Sequence, residues 1–118
     1  MKKFLAIYTG QRNSPRWREW DALSEADRKK RENEGKQAWM DWSRKQEAKI
    51  VENGGPLGKT KRVTEVGISD IKNAMAAYTV VEAETHEDAA RLFENHPHFT
   101  IFPGDGIEIM EVLPIPAS

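Results

Sequence analysis

The sequence of 118 residues contains no cysteine. This absence excludes disulfide bonds and thiolate chemistry, and it fits a cytoplasmic protein. The sequence also lacks any apolar run near the roughly 20 residues that a membrane-spanning helix needs. Its N-terminal apolar stretch is too short for a signal peptide, so we expect no membrane partner.

An excess of charge of either sign is also absent. Eighteen Lys and Arg residues face nineteen Asp and Glu residues, which leaves a formal net charge of −1. Such a balance creates no overall field that attracts nucleic acid. The strand expected mid-sheet offers Tyr78, Val80 and Glu82 instead of the aromatic-rich signature of RNA-binding sheets, so we expect no nucleic-acid partner. The three histidines match no metal-ligand spacing, and we expect no metal or other cofactor.

What the sequence does contain is a clear pattern of elements in its second half. Tyr78 to Val81 is a β-branched and aromatic run, which is typical of a half-buried strand. Thr85 predicts the N-cap of a following helix, and Pro97 predicts its end. Residues 107–113 predict a last strand. The second half therefore reads as strand, helix, loop and strand.

The first half supplies the remaining elements. Lys3 to Thr9 predicts a first strand, and Ser14 before Pro15 predicts a short helix. Ser24 predicts the start of a longer helix that continues to Glu52. Residues 59–66 predict a second strand, followed by a connection with a turn of helix at 70–74.

This order of strand, helix, strand, strand, helix and strand predicts an α+β fold in one domain, residues 1–118. With both helices on one face of an antiparallel sheet, it is the ferredoxin-like βαββαβ arrangement. Residues 12–33 form a charged helical insert. Trp17 and Trp20 lie within this insert, where aromatic anchors serve an interface or cover a pocket.

Five segments taken together resemble the YCII-related family: GGPLGKTKRV, AYTVVEAET, AARLFE, HPHF and IEIMEVLPI. The charged insert is longer than the family pattern and is the main departure from it. The resemblance implies a dimeric α+β barrel. It also implies a superfamily that includes lyases, isomerases and monooxygenases.

The residues themselves also favour a dimer. The first strand has Phe4 and Tyr8 on one face and Leu5 and Ile7 on the other, and the last strand repeats this two-sided apolar pattern. A sheet face open to water alternates with polar residues. A face left bare with these side chains would be an unusually large apolar patch. We therefore expect a homodimer that buries this sheet face.

Two residues are candidates for catalysis. His98 follows a predicted helix end and matches the Pro-His element of the family, which favours a role as acid or base. The alternative is a histidine that merely binds a loop carbonyl. Tyr8, at the end of the first strand, could donate a proton into a cavity, although it could equally be aromatic cover for the sheet. His96 lies on the apolar stripe of the predicted helix and is expected to be packed.

Three residues are candidates for ligand binding. Lys59 and Lys61 alternate along the predicted second strand and could hold a carboxylate or phosphate. Charged side chains on an edge strand also simply prevent aggregation. Glu82 lies in a strand and becomes a candidate base or ligand contact if it faces a closed cavity.

Three hypotheses follow for function. The first is an enzyme of lyase or isomerase type that binds or transforms a small organic acid in a pocket near His98. The second is a non-catalytic dimeric module for ligand binding or protein interaction. The third is a partner of a larger protein, bound through the insert that carries Trp17 and Trp20. A closed pocket around His98 would favour the first hypothesis, and a packed interior would favour the second.

Overall fold

The structure, a computed structural model, describes residues 1–116. Its elements follow in chain order: β1 (Lys2–Thr9), α1 (Pro15–Ala22), α2 (Glu25–Lys45), β2 (Ile50–Pro56), β3 (Thr60–Thr64), β4 (Gly67–Ile71), β5 (Met75–Ala83), α3 (His86–Arg91), α4 (Pro97–Thr100) and β6 (Gly106–Glu111). Four strands form an antiparallel sheet in the order β2-β5-β1-β6, while β3 and β4 form a separate hairpin. This strand order confirms the predicted ferredoxin-like α+β fold.

The core lies between one face of this sheet and the helices. Phe4, Ala6 and Tyr8 alternate along β1 and are fully buried. Val81 pairs with Phe4 and joins the same cluster, which Trp42 of α2 covers. The strand period of two therefore decides which β1 side chains meet the helices.

The predicted helix starts are confirmed by their caps. The Ser14 hydroxyl accepts a hydrogen bond from the Trp17 N–H, and the Ser24 hydroxyl accepts one from the Asp27 N–H at 3.1 Å. Each cap satisfies an amide that the first helical turn leaves without a partner. Among the helices of residues 1–116, none combines the length and apolar character needed to cross a bilayer.

The predicted end of the long helix is wrong. The helix α2 stops at Lys45 instead of continuing to Glu52, and a 3₁₀ turn then leads into β2. Ile50 pairs with Val81 of β5 and packs against the core. The burial of Ile50 within the sheet outweighs the helical pattern of the preceding residues.

The predicted second strand is also misplaced. Residues 59–66 contain β3, which pairs with β4 and not with the main sheet, and the helical turn expected at 70–74 is partly β4. The sheet position is taken by β2, whose register with β5 is interrupted by bulges. Gly54 lies at such an irregularity with a φ of 63°, a conformation that favours glycine.

Pro97 has the opposite role to the one predicted. The helix α3 ends at Arg91, and Pro97 begins α4 instead of ending a longer helix. Proline lacks an amide hydrogen and has a fixed φ, and both properties suit the first helical position. The preceding His96 caps α4, because its Nδ1 accepts a hydrogen bond from the His98 N–H at 3.0 Å.

The charged insert packs against α4 and the segment that follows it. Arg16 donates to the carbonyl oxygen of Phe99, and Arg31 donates to that of Ile101 at 3.0 Å. The Trp20 and Phe102 rings lie 5.9 Å apart between centroids. The insert is therefore attached to the side of the fold that carries His98.

The other face of the sheet has no helix on it, and we call it the bare face. Its apolar residues are those that alternate with the core positions: Leu5, Ile7, Tyr78, Val80 and Met110. Its charged residues, by the same register, are Lys3, Glu52, Glu82 and Glu108.

Adjacent residues of β6 allow a test of these two faces. Ile109 pairs with Ala6 and packs on the core, whereas Met110 pairs with Leu5 on the bare face and is 43% exposed. Ile109→Glu should lower the free energy of unfolding by about 2–4 kcal/mol, because it places a carboxylate beneath the helices. Met110→Glu is the control and should keep a native far-UV spectrum and a cooperative transition. Denaturation at low protein concentration, where association contributes least, makes the comparison. Equal stability of the two variants would contradict the assigned register.

Candidate functional site

A cleft opens between α2 and the sheet on the side that carries β2. Its larger part has a volume of about 1060 Å³, and Tyr8 and Trp39 are among its lining residues. A smaller adjoining part, of about 620 Å³, is lined by His98. Both parts share three residues, Trp17, Lys36 and Phe102. We treat the two parts as one cleft, whose wall is formed by the insert and by α2.

A chain of hydrogen bonds crosses the inner side of the cleft. The Thr79 hydroxyl donates to the carbonyl oxygen of Asn53 at 3.1 Å and lies 2.8 Å from the Tyr8 hydroxyl. Since the single Thr79 proton goes to Asn53, Tyr8 donates to Thr79. Burial raises the pKa of Tyr8 to about 12, and the bond to Thr79 opposes this shift only in part. Tyr8 is therefore a neutral, oriented phenol at pH 7.

His98 lies in α4 and is held in one tautomer. Its Nε2 is 2.8 Å from the Thr9 carbonyl oxygen, which can only accept, so Nε2 carries the proton and Nδ1 is the basic nitrogen. Burial lowers the pKa of His98, and the bond to Thr9 and the charge of Asp105 counteract this effect while Arg16 adds to it. The imidazole is therefore neutral at pH 7 and able to accept a proton.

The structure brings the two predicted catalytic residues together. The Tyr8 and His98 rings meet edge to face, with centroids 5.3 Å apart. Tyr8 comes from the end of β1, and Thr9, the next residue, fixes the His98 ring through its carbonyl. Adjacent residues of one strand thus position both side chains.

His96 is buried inside a group of aromatic rings. Its ring lies 4.5 Å from that of Trp39 and 4.6 Å from that of Trp42, both edge to face, and 5.2 Å from that of Tyr8. Its Nδ1 is occupied by the His98 amide, and its buried Nε2 has no hydrogen-bond partner within residues 1–116. Burial, and secondarily the nearby His98, lower the pKa of His96 to about 3. The expected packed histidine is confirmed, and it is neutral.

The predicted ligand-binding residues do not line this cleft. Lys59 and Lys61 border another hollow, beside the β3–β4 hairpin, and Lys61 pairs there with Asp70 at 2.7 Å. Glu82 is the cross-strand partner of Lys3 on the bare face, whereas Tyr8 lies on the face that the helices cover. The physical reasons are the displaced second strand and the alternation of side chains along β5.

The residue that sequence reasoning missed is Lys36. It lines both parts of the cleft from α2, three residues before Trp39. Residues three apart lie on the same face of a helix. Because Trp39 was predicted to pack on the sheet, this spacing indicated that Lys36 lies on the same side of α2. Trp17, predicted as an aromatic anchor in the insert, also lines both parts. Within residues 1–116 no three His, Asp or Glu side chains group as metal ligands.

Comparison with known structures agrees with the class of fold, a ferredoxin-like α+β domain. A solved structure similar to this chain is the 5-chloro-2-hydroxyhydroquinone dehydrochlorinase of Burkholderia phenoliruptrix in complex with 2,5-dihydroxybenzoquinone. The TM-score is 0.52 at 17% identity, over 92% of this chain and 90% of that one. No protein-family model and no curated protein matches the sequence. The likeness therefore shows the fold.

Two glycines that follow α4, Gly104 in the loop and Gly106 at the start of β6, test how His98 is held. A Cβ atom on Gly104 would overlap the His98 ring and its carbonyl oxygen, whereas one on Gly106 would meet nothing within 4 Å. Gly104→Ala should destabilise the protein by about 1–3 kcal/mol and displace the imidazole, because the added methyl has no room. Gly106→Ala is the matched control and should be nearly neutral. Thermal melts and histidine NMR shifts measure both effects, and equal behaviour of the two variants would contradict this packing.

The buried His96 predicts sensitivity to acid. Its pKa of about 3 in the folded chain lies below the ordinary value of ~6.5, so the unfolded chain binds an additional proton between these pH values. The contribution of His96 is complete above pH ~6.5 and falls by about 1.4 kcal/mol for each pH unit below it.

The variant His96→Phe removes this titration while keeping an aromatic ring. Below pH ~6.5, the free energy of unfolding of His96→Phe should depend less steeply on pH than that of the original chain. The difference between the two slopes should correspond to the uptake of close to one proton on unfolding. Urea titrations at several pH values measure the two slopes. Identical slopes would show that His96 is not kept neutral by burial.

Proposed function

We propose that the cleft binds and transforms a small planar organic acid by lyase or isomerase chemistry, with His98 as the base. The observation that carries this proposal is the convergence of His98, Tyr8 and Lys36 on one cleft. The proposal includes membership of the YCII-related family, which is supported by the segments GGPLGKTKRV, AYTVVEAET, AARLFE, HPHF and IEIMEVLPI. The cysteine-free composition supports a cytoplasmic location.

The shape of the ligand follows from the cleft walls. Trp17, Trp39 and Phe102 contribute aromatic rings, and the Trp39 and Phe102 rings lie 6.3 Å apart. Aromatic rings stack on flat rings in offset or edge-to-face arrangements that add to the energy of burial. A planar ligand therefore suits these walls.

The charge of the ligand follows from the lining charges, among which Glu32 is an acid that lines only the smaller part. Arg12 is held by Asp21 at 2.8 Å, and Arg44 lies 3.7 Å from Asp41. Lys36 lines both parts of the cleft and, within residues 1–116, forms no ion pair. An ammonium group beside apolar rings favours an anionic partner such as a carboxylate or phenolate.

The proton chemistry falls to His98, and Tyr8 positions it. The neutral Nδ1 of His98 accepts a proton from the bound acid, at a carbon or hydroxyl whose negative charge Lys36 stabilises. The Tyr8 ring is fully buried and acts from beneath the cleft, because it packs edge to face on the His98 ring while its hydroxyl is held by Thr79. Return of the proton to a different ligand atom gives an isomerisation, and loss of a leaving group gives a lyase reaction.

The ligand of the similar solved structure supports this ligand class. That dehydrochlorinase is described in complex with 2,5-dihydroxybenzoquinone, a flat ring that carries two hydroxyl groups. A flat hydroxylated ring matches the aromatic walls and the cation of the present cleft. It is therefore a suitable first probe.

The alternative is a dimeric binding module without catalysis. One observation favours it: His98 Nε2 and the Tyr8 hydroxyl are both engaged inside the protein, with Thr9 and Thr79. Bonds of this kind also occur where a side chain only holds a loop or covers a sheet. The same binding experiment separates the two functions.

The experiment measures binding and turnover of 2,5-dihydroxybenzoquinone and of simple aromatic acids. Lys36→Gln should weaken binding about tenfold or more, because a charge-assisted hydrogen bond contributes about 1.5–3 kcal/mol. Lys29→Gln, also on α2 but outside the cleft, is the control and should bind normally. His98→Gln keeps a donor for the Thr9 carbonyl and should bind a substrate but not convert it.

Each result has a defined meaning. Binding that needs Lys36, with conversion that needs His98, supports the enzyme. Binding that needs Lys36, with no conversion of any bound acid by the unmodified protein, supports the binding module. Lys36→Gln and Lys29→Gln variants that bind equally well would contradict the cleft assignment.

We also propose that the protein is a homodimer in which a second copy covers the bare face. Five apolar or aromatic residues share this face, and monomers rarely expose such a patch. Sedimentation at micromolar concentration should show a dimer. A monomer would contradict the proposal.

A further inference from the structure

The β3–β4 hairpin extends away from the rest of the fold. We define the arm as residues 59–72, which include both strands. Within the arm Thr60 is partly buried and every other residue is exposed. The radius of gyration is 16.4 Å, against roughly 13–14 Å for a compact chain of this length. The arm therefore adds length to the molecule and little to its core.

The arm nevertheless has a defined origin. The Leu57 N–H donates to the Ala76 carbonyl oxygen at 2.9 Å, and the Asn73 side chain donates to the Thr60 hydroxyl at 3.3 Å. These bonds join the arm to the end of the β2–β5 pair, where Gly55 is the partner of Tyr78. The arm thus leaves the sheet at the end of the β2–β5 pair.

One side of the arm carries an exposed apolar pair, and nothing within residues 1–116 covers this apolar side. Val63 pairs with Ile68, and their exposed fractions are 74% and 71%. The Lys61–Asp70 ion pair lies on the same side, whereas Arg62 and Ser69 pair on the opposite side. A two-stranded hairpin is marginally stable alone in water, so a hairpin with an exposed apolar pair gains stability when that pair packs on a surface.

The charges of the arm indicate which surface this is. Four cations, Lys59, Lys61, Arg62 and Lys72, outnumber Glu65 and Asp70, so that the arm is basic. The bare face has the opposite balance, because its three glutamates outnumber Lys3. Its apolar centre and acidic residues complement the apolar side and basic character of the arm.

We propose that the arm of one protomer docks, through Val63 and Ile68, on the bare face of a second copy of this chain. The inference rests on the proposed homodimer and adds the segment that joins the two copies. In a two-fold dimer the contact occurs twice, since each copy offers both the arm and the face. The assembly is then closed and does not continue into a filament.

Sedimentation of matched variants tests the arm. The double variant Val63→Asp with Ile68→Asp should raise the dimer dissociation constant about tenfold or more, because it places carboxylates against an acidic face. Ser69→Asp, on the opposite side of the arm, is the control and should leave the constant unchanged. Higher salt should also weaken the original dimer.

Variants of the receiving surface complete the test. Ile7→Glu should weaken the dimer as the arm variant does, and Met110→Glu, at a more exposed site, replaces it if Ile7→Glu fails to fold. Because the chain lacks cysteine, Val63→Cys gives a single labelling site. Its reaction with a maleimide should slow as protein concentration rises, and Ile7→Glu should abolish this protection.

The outcomes separate the two proposals. A monomeric original chain overturns the homodimer and, with it, the role of the arm. A dimer that the arm variant leaves unchanged overturns only the inference about the arm. Protection of Val63→Cys that persists in folded bare-face variants shows that the arm docks elsewhere, and this also overturns the inference.

Discussion

The buried ring of Tyr8 is the contact on which both the core and the cleft depend. It lies 5.1 Å from Trp39 of α2, 6.1 Å from Phe93 and between 5.2 and 5.3 Å from the two histidines of the HPH segment. Its hydroxyl meets Thr79 of the neighbouring strand. Because one side chain joins the sheet, the long helix and the α4 region, the cleft cannot move independently of the core.

The HPH segment shows how adjacent residues acquire different chemistry. His96 and His98 both carry their proton on Nε2, yet the first lies wholly inside aromatic rings and the second reaches the cleft. Pro97 separates them by starting a helix, so the two rings take different directions. Desolvation acts on both, and it keeps both neutral. Of the two, only His98 lines the cleft.

Local patterns predicted much of the fold. The alternation along β1, the run at Tyr78 to Val81 and the serine caps are interactions between near neighbours, and they leave clear signals in sequence. The helix end at Lys45 and the identity of the second strand depend on pairing with β5, more than twenty residues away. Residues 59–66 have a strand pattern because they contain β3. However, β3 pairs with β4 in a hairpin and not with the main sheet.

The site was predictable only in part for the same reason. His98 and Tyr8 could be found from their positions at the ends of predicted elements. The spacing of Lys36 from Trp39 indicated its side of α2, but the cleft beside it depends on how α2 packs on the sheet, which the sequence does not specify. Glu82 and Lys61 were drawn from strands whose face and partner the sequence does not specify.

The origin of the cleft wall affects how this protein could diversify. The floor is formed by residues such as Tyr8 and Thr79, and their substitution would disturb the sheet. The insert supplies Arg12 and Trp17, which line the cleft from outside the sheet. Mutational drift can therefore alter the wall at little cost to foldability, while the buried floor stays in place. The shape of the cleft mouth and the side chains of its floor would then evolve as separable traits on a single small scaffold.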